Sequence, residues 1–167
     1  MIKILKFPIL STLFLLSPFF YAEGNHKLFN LGDFDLESGI TLPNAKLSYV
    51  THGKLNEERD NLIVVPSAYL GDHHGFDFLI EPGKALDPEK YFIVATDMFQ
   101  NGLSSSPSNT AAPYDGPNFP LISIRDNVKA GSKLVTEVFK VKQIRGVVGV
   151  SMGAQQAFQW AVSYPDF

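Results

Sequence analysis

Three short runs of consecutive apolar residues lie at positions 62–65, 91–95 and 147–150. Strands of a parallel sheet are buried on both faces and read as continuous apolar runs, whereas strands with one wet face alternate apolar and polar residues. The three runs therefore predict parallel strands in a sheet that is covered by helices, which is an α/β architecture.

The segment before these runs alternates only in part. Its apolar positions mark two short extended segments: Phe29, Leu31, Leu36, Ile40 and Leu42. A turn at residues 37–39 separates the two segments, and residues 46–52 continue as a strand. Partial alternation is typical of an antiparallel edge, so an antiparallel hairpin is predicted at the edge of the sheet.

Helical spacing predicts one helix before the third apolar run and one after it. The first covers residues 123–140, because Ser123 and Asp126 have the spacing of a capping box and apolar residues recur on one face. This helix would join two parallel strands by a right-handed crossover. The second helix follows residue 151 and rests on four apolar residues at helical spacing: Ala157, Phe158, Ala161 and Val162.

The third apolar run ends at a serine between two glycines, in the pattern Gly149-x-Ser151-x-Gly153. Between a strand and a helix, this pattern is typical of a nucleophile elbow, where the serine is strained and a Cβ two residues away would collide with the crossing backbone. Ser151 is therefore predicted to be the catalytic nucleophile. The Met152 N–H, at the positive end of the helix, is predicted to donate to a developing oxyanion. The alternative is a glycine-rich turn with a buried serine.

Two loops follow predicted strands at the edge where open α/β sheets bind ligands. In residues 66–75, the backbone N–H of Tyr69 is the first candidate for a second oxyanion donor and that of Leu70 the next. An ordinary polar loop is the alternative. Residues 100–120 are rich in Ser, Pro, Asn and Gly and are predicted to form one wall of an acyl pocket.

Composition narrows the function classes. The 167 residues are 45% hydrophobic and carry a net charge of −3 without a basic run, so a globular domain with a small-molecule substrate is expected and nucleic acid is not. The chain has no cysteine, which excludes disulfides and thiolate metal sites. We predict no metal and no bound cofactor. His73 and His74 are expected to be solvent-exposed loop residues, and Asp97 only closes a strand.

Residues 1–22 differ from the rest of the chain. Lys3 and Lys6 precede an uncharged run at residues 7–21, and Ala22 is followed by polar residues. This pattern is typical of a secretory signal peptide, with a retained N-terminal anchor as the alternative. It predicts a domain at residues 23–167 and a periplasmic or secreted location, with no other stable membrane partner. If this interpretation is wrong, the location is cytoplasmic.

Several stretches resemble homoserine O-acetyltransferases of the α/β-hydrolase superfamily. They occur in order between positions 29 and 167: residues 53–56, 68–72, 82–87, 119–120, 125–128, 149–154, 160–162 and 164–165. The resemblance implies the N-terminal part of an α/β-hydrolase fold, ending after the nucleophile elbow. It also implies an acyl-serine on Ser151, acyl-CoA as co-substrate, a small hydroxy amino acid as acceptor, and a homodimer for the full-length form.

Some positions depart from that family. The family usually has His where this chain has Ser67 and Thr where it has Leu70, and residues 104–107 also differ. Together with the signal sequence, these departures favour an exported carboxylic ester hydrolase as the alternative. In α/β-hydrolases the catalytic acid and His follow the serine, so we expect both beyond Phe167 and expect these 167 residues alone to be inactive. A non-catalytic remnant is the third hypothesis.

Overall fold

A computed structural model describes residues 26–167, which form one five-stranded mixed sheet with two α-helices. The strands are β1 (Lys27–Asp35), β2 (Thr41–His52), β3 (Leu62–Pro66), β4 (Phe92–Thr96) and β5 (Gly146–Val147), in the spatial order β1-β2-β4-β3-β5. The helices are α1 (Ile124–Lys133) and α2 (Met152–Ser163). The predicted signal peptide at residues 1–22 lies outside the described residues. No helix in the described part is long and apolar enough to span a membrane.

The predicted antiparallel hairpin is confirmed. β1 pairs with β2 in the register Phe34↔Leu42, and the turn is closed by the Leu36 N–H, which donates to the Ile40 carbonyl at 2.9 Å. Gly39 supplies a positive φ of 84° in this turn, a conformation that glycine adopts without steric cost. β2 is one strand of 12 residues, and its second half pairs antiparallel with β4, which joins the hairpin to the parallel strands.

The parallel strands are also confirmed, although the third is shorter than predicted. β3 pairs in parallel with both β4 and β5, and every residue of β3 and β4 is buried. β5 contains two residues, and one further ladder bond runs from the Val148 N–H to the Val64 carbonyl at 2.9 Å. The strand ends early because the chain after Val148 turns into the segment that carries Ser151.

Helix α1 begins where the sequence predicts and ends earlier. Ser123 Oγ accepts the Asp126 N–H at 3.1 Å and Asp126 Oδ2 accepts the Ser123 N–H at 2.8 Å, which completes the capping box. The predicted helix over 123–140 becomes a π-helical turn at Leu134–Val138. Thr136 donates its hydroxyl to the Ser132 carbonyl, a side-chain bond that bends helices because it competes with the backbone ladder.

The apolar residues whose spacing predicted α2 are not its buried residues. Phe158 and Val162 are 77% and 74% exposed, whereas Gly153, Gln156 and Trp160 are buried. The Trp160 indole packs against Gly131 of α1, so α2 turns this side toward the sheet and α1. Apolar spacing therefore located the helix correctly but does not identify its buried face, because spacing does not say which neighbour a face meets.

The core lies on both faces of the sheet. Alternate residues of β3 and β4 point to opposite sides: Leu62, Val64 and Val94 pack with the hairpin and α1, whereas Ile63, Val65 and Ile93 pack with residues 76–86. Strands covered on both sides hold rigid ends. The loops that leave the carboxyl ends of β3, β4 and β5 are therefore carried by the best-packed part of the domain.

Candidate active site

Ser151 occupies a strained turn between β5 and α2. Its backbone angles are φ 52° and ψ −124°, a region that non-glycine residues rarely adopt, and the residue is exposed. A Cβ on Gly149 would overlap the backbone carbonyl group of Gly153, and a Cβ on Gly153 would lie 2.6 Å from the Pro66 carbonyl oxygen. The two glycines therefore allow the turn for the steric reason expected from the sequence.

The three predicted donors, the backbone N–H groups of Met152, Tyr69 and Leu70, make no hydrogen bond within the described part of the chain, and neither do those of Ser151, Asp72 and Asn101. Met152 is the first residue of α2, so its N–H points out of the helix end. Leu70 has a φ of 60°, in the turn that the Gly71 N–H closes on the Ala68 carbonyl at 3.0 Å. These free donors match the positions predicted for an oxyanion hole, and the catalytic roles of Ser151, Met152, Tyr69 and Leu70 stay predictions.

A groove of about 630 Å³ brings these donors onto one surface. Its lining residues come from the loops after β3 and β4 and from the start of α2: residues 69–72, 74–75, 98–101 and 103, and Met152. Among the described residues that line it there is no lysine or arginine. Ser151 itself is not a lining residue, and it directly precedes the lining residue Met152 in the chain.

The loop of residues 67–75, here called the β3 loop, is tied directly to the start of α2. The Gln156 side chain is buried and its Nε2 donates to the Ser67 carbonyl at 3.0 Å. Gln156 was not among the residues predicted from the sequence. Its helical spacing could have identified it as a buried residue. Gln156 lies three residues after Gly153 and four before Trp160, so the three share one face of α2.

His73 is not a solvent-exposed loop residue, which corrects the expectation from the sequence. Its side chain is 3% exposed, and its Nδ1 lies 2.8 Å from Oδ2 of Asp97. The carboxyl ends of adjacent parallel strands meet at one sheet edge, so Asp97, directly after β4, reaches the loop after β3. His74 does remain exposed, and its Nδ1 lies 2.7 Å from Oδ2 of Asp77.

Asp97 is the centre of a buried hydrogen-bond network. Its carboxylate accepts the backbone N–H of His73 at 2.8 Å, the Ser48 hydroxyl at 2.6 Å and Asn101 Nδ2 at 3.1 Å, in addition to His73 Nδ1. From the sequence, Asp97 was predicted only to close a strand. A carboxylate just after an apolar strand was the available signal, but its partners are far away in sequence.

His52 interacts electrostatically with His73 of this network and with the neighbouring His74 and Asp77. Burial lowers the pKa of His52, and the nearby His74 and His73 act in the same direction, whereas Asp77 opposes them. His52 Nε2 is buried and makes no hydrogen bond with the described residues. A lowered pKa keeps this imidazole neutral near pH 7. No group of three or more His, Asp or Glu arranged to hold a metal occurs within residues 26–167.

Residues 100–120 form a wall of the groove only at their start. Gln100, Asn101 and Leu103 line it. Residues 104–106 are buried instead, and the Ser105 N–H donates to the Lys46 carbonyl at 3.0 Å. The hydroxyls of Ser105 and Ser104 also accept the backbone N–H groups of Lys46 and Ser48, each at 2.9 Å. These serines therefore hold the loop against β2 and pair backbone groups that would otherwise be buried without a partner.

A sequence profile of the alpha/beta hydrolase fold family matches residues 61–167. The matched residues contain β3, β4, β5 and both α-helices, and therefore the elbow and all the loops that line the groove. Together with the sheet order and the strained serine, it defines the class: the chain belongs to the α/β-hydrolase fold family.

Relatives within this class include esterases and acyltransferases. The chain is 44% identical over 152 residues to the ethyl acetate hydrolase of Pseudomonas veronii, covering 89% of this chain and 44% of that protein. It is 38% identical over 152 residues to the homoserine O-acetyltransferase of Methanosalsum zhilinae, covering 81% of this chain and 30% of that protein. The resemblance to homoserine O-acetyltransferases is thereby confirmed, and similarity to esterases accompanies it.

Solved structures give the same two activities. The acetyl esterase MekB superposes with a TM-score of 0.84 at 44% identity, over 86% of this chain and 42% of that one. The homoserine O-acetyltransferase from Bacillus anthracis superposes with a TM-score of 0.77 at 28% identity, over 84% of this chain and 43% of that one. The chain thus spans less than half the length of each of these relatives.

Proposed function

We propose that this chain carries the nucleophile and oxyanion donors of a serine esterase that hydrolyses small carboxylic esters. The observation that carries the proposal is the strained, exposed Ser151 directly before Met152, which lines a groove together with Tyr69 and Leu70. The N–H groups of these three residues make no hydrogen bond to any described residue. Similarity to an ethyl acetate hydrolase supports an acetyl ester as the substrate class.

The proposed reaction has two steps. Ser151 Oγ bonds to the ester carbonyl carbon, and the alcohol leaves with the hydroxyl proton; water then attacks the acyl-serine and releases the carboxylic acid. Free N–H groups at Met152 and the β3 loop would stabilise the oxyanion in both steps. A base must take the serine proton, and in this family it is a His that follows the serine in the chain. All four His of the chain precede Ser151, and His73 Nδ1 is already bonded to Asp97.

Acyl transfer from acyl-CoA to a small hydroxy amino acid is the second candidate. Similarity to homoserine O-acetyltransferases favours it. CoA carries phosphates, which proteins commonly bind through Arg or Lys, and the groove has neither among its described lining residues. The lack of Lys and Arg among these lining residues favours ester hydrolysis over acyl transfer from acyl-CoA. Ser67 and Leu70, which replace the residues usual in the acetyltransferases, favour the same reaction.

The two candidates predict different products. Given ethyl acetate in water, the protein in the form made by its host is expected to release acetate faster than it forms O-acetylhomoserine from acetyl-CoA and homoserine at equal donor concentrations. Chromatography of both products measures the ratio, and Ser151→Ala gives the uncatalysed background. Faster formation of O-acetylhomoserine would instead establish the transferase.

Export is a separate proposal, based on Lys3, Lys6 and the uncharged run at residues 7–21. A signal peptidase would cut after the small residue Ala22. N-terminal sequencing of protein recovered from the host is expected to begin near Glu23. Recovery of an intact Met1 from the soluble cytoplasmic fraction would show that the segment is not a cleaved signal.

A further inference from the structure

We propose that Asp97 is a positioning residue, whose buried carboxylate holds the β3 loop so that the Tyr69 and Leu70 N–H groups face the reacting carbonyl. The inference rests on the proposed acyl-serine chemistry at Ser151. Asp97 does not line the groove. It would act through the groups that it holds, which are His73 of the β3 loop and the groove residue Asn101.

The carboxylate of Asp97 is built into the fold as an acceptor. Its side chain is 0% exposed, and its oxygens accept four hydrogen bonds of 2.6 to 3.1 Å. A buried charge is tolerated only when it is hydrogen-bonded, and bonds to an ionised acceptor are about twice as strong as neutral ones. Two of the four donors belong to His73, which is a member of the β3 loop.

The β3 loop is therefore held at two ends. At its start, Ser67 accepts Gln156 Nε2 at its carbonyl, and its Oγ accepts the Met98 N–H at 3.0 Å. Toward its end, His73 is held through both its backbone and its ring by Asp97. The Tyr69 and Leu70 side chains between these anchors are exposed, so packing of those side chains does not fix the loop. The direction of their N–H groups then depends on the turn bond from the Gly71 N–H to the Ala68 carbonyl and on the two anchors that place this turn.

The geometry also assigns His73 a supporting role. A carboxylate oxygen accepts, so the geometry assigns His73 Nδ1 as the donor to Asp97 Oδ2, and His73 Nε2 is buried without a partner among the described residues. His73 does not line the groove. The ring thus serves as a fixed donor to Asp97.

The first test replaces Asp97 by Asn, which keeps the volume but points an amide N–H₂ at groups that donate. Loss of one complete oxyanion donor lowers kcat by about 10²–10³ in a serine protease, so misplacing the loop donors is expected to lower kcat for ester hydrolysis roughly 10- to 100-fold. KM should change little, because these donors act mainly on the transition state. Wild-type kcat in Asp97→Asn would overturn the inference.

Asp87→Asn is the matched control. Asp87 is also a buried carboxylate and accepts the backbone N–H groups of Gly83 and Glu89 at 3.1 and 3.0 Å, but it lies outside the groove. We expect this variant to keep the wild-type kcat whatever stability it loses. An equal fall in kcat for both variants would mean that Asp97 acts only through general stability.

A second pair of variants covers the case in which Asp97→Asn does not fold. His73→Asn keeps a side-chain N–H near the position of Nδ1, whereas His73→Leu removes it. His73→Asn is expected to restore most of the kcat that His73→Leu loses. Equal kcat in the two variants would overturn the inference.

Amide hydrogen exchange separates this inference from the proposed function. Asp97→Asn is expected to raise exchange within residues 68–72, and Asp87→Asn is not. If wild-type protein forms no acyl-Ser151 but the local exchange increase appears, the esterase proposal fails and the positioning role stands. Unchanged exchange in residues 68–72 would refute the positioning role even if the protein is an active esterase.

Discussion

Ser151→Ala is expected to remove the acyl-enzyme and nearly all ester hydrolysis. Without the hydroxyl no covalent intermediate can form, and water would have to attack the bound ester directly. Removing the nucleophilic serine of subtilisin lowers kcat about 10⁶-fold, and a loss of that order is expected here. The measurements are turnover of an activated acetyl ester and the mass of the protein after a short incubation with it.

Ser163→Ala provides the control for Ser151→Ala. Ser163 is an exposed serine at the opposite end of α2, where its Oγ accepts Gln159 Nε2. This variant is expected to keep wild-type turnover and to gain one acetyl group on the peptide that contains Ser151. Acetylation that persists in Ser151→Ala would place the nucleophile elsewhere and refute the assignment.

Within the elbow, Gly149→Ala is expected to be the most damaging substitution that adds a single methyl group. The added Cβ would overlap the backbone of Gly153. Because Gly153 belongs to the first turn of α2, the overlap can be relieved only if the start of this helix shifts. Overpacking of this kind lowers the free energy of unfolding by about 1–3 kcal/mol or more. Because Ser151 lies between the two glycines, turnover should fall together with stability. Urea denaturation and ester turnover measure the two effects.

Gly146→Ala distinguishes this collision from a general intolerance of alanine. Gly146 lies three residues earlier, and a Cβ there would meet no atom of residues 26–167 within 4 Å. Neither Gly146 nor Gly149 has a positive φ, so the two changes differ in available space and not in backbone strain. Gly146→Ala is expected to keep its stability and activity. Comparable losses in both variants would contradict the steric account of the elbow.

Errors in the sequence prediction fall where long-range contacts decide the outcome. Helix α1 was predicted from its capping box and begins there, but its π-helical end at Leu134–Val138 was not foreseen. The apolar run at 147–150 predicted a strand, but β5 covers only Gly146–Val147, because the chain after Val148 turns toward Ser151. For α2 the spacing gave the helix but not its buried face, since that face is chosen by Gly153 against the end of β3.

The sequence by itself determined the features that depend on neighbouring residues: the buried strands β3 and β4, the cap at Ser123, and the serine between Gly149 and Gly153. These follow from backbone sterics and from hydrogen bonds within a few positions. Only the tertiary structure decided the groove and the two anchors of the β3 loop, because their partners are distant. His73 and Asp97 are 24 residues apart, and Ser67 and Gln156 are 89 apart. Such pairs meet only when parallel strands bring their carboxyl ends to one edge, and no local pattern records which loop residues will then face each other.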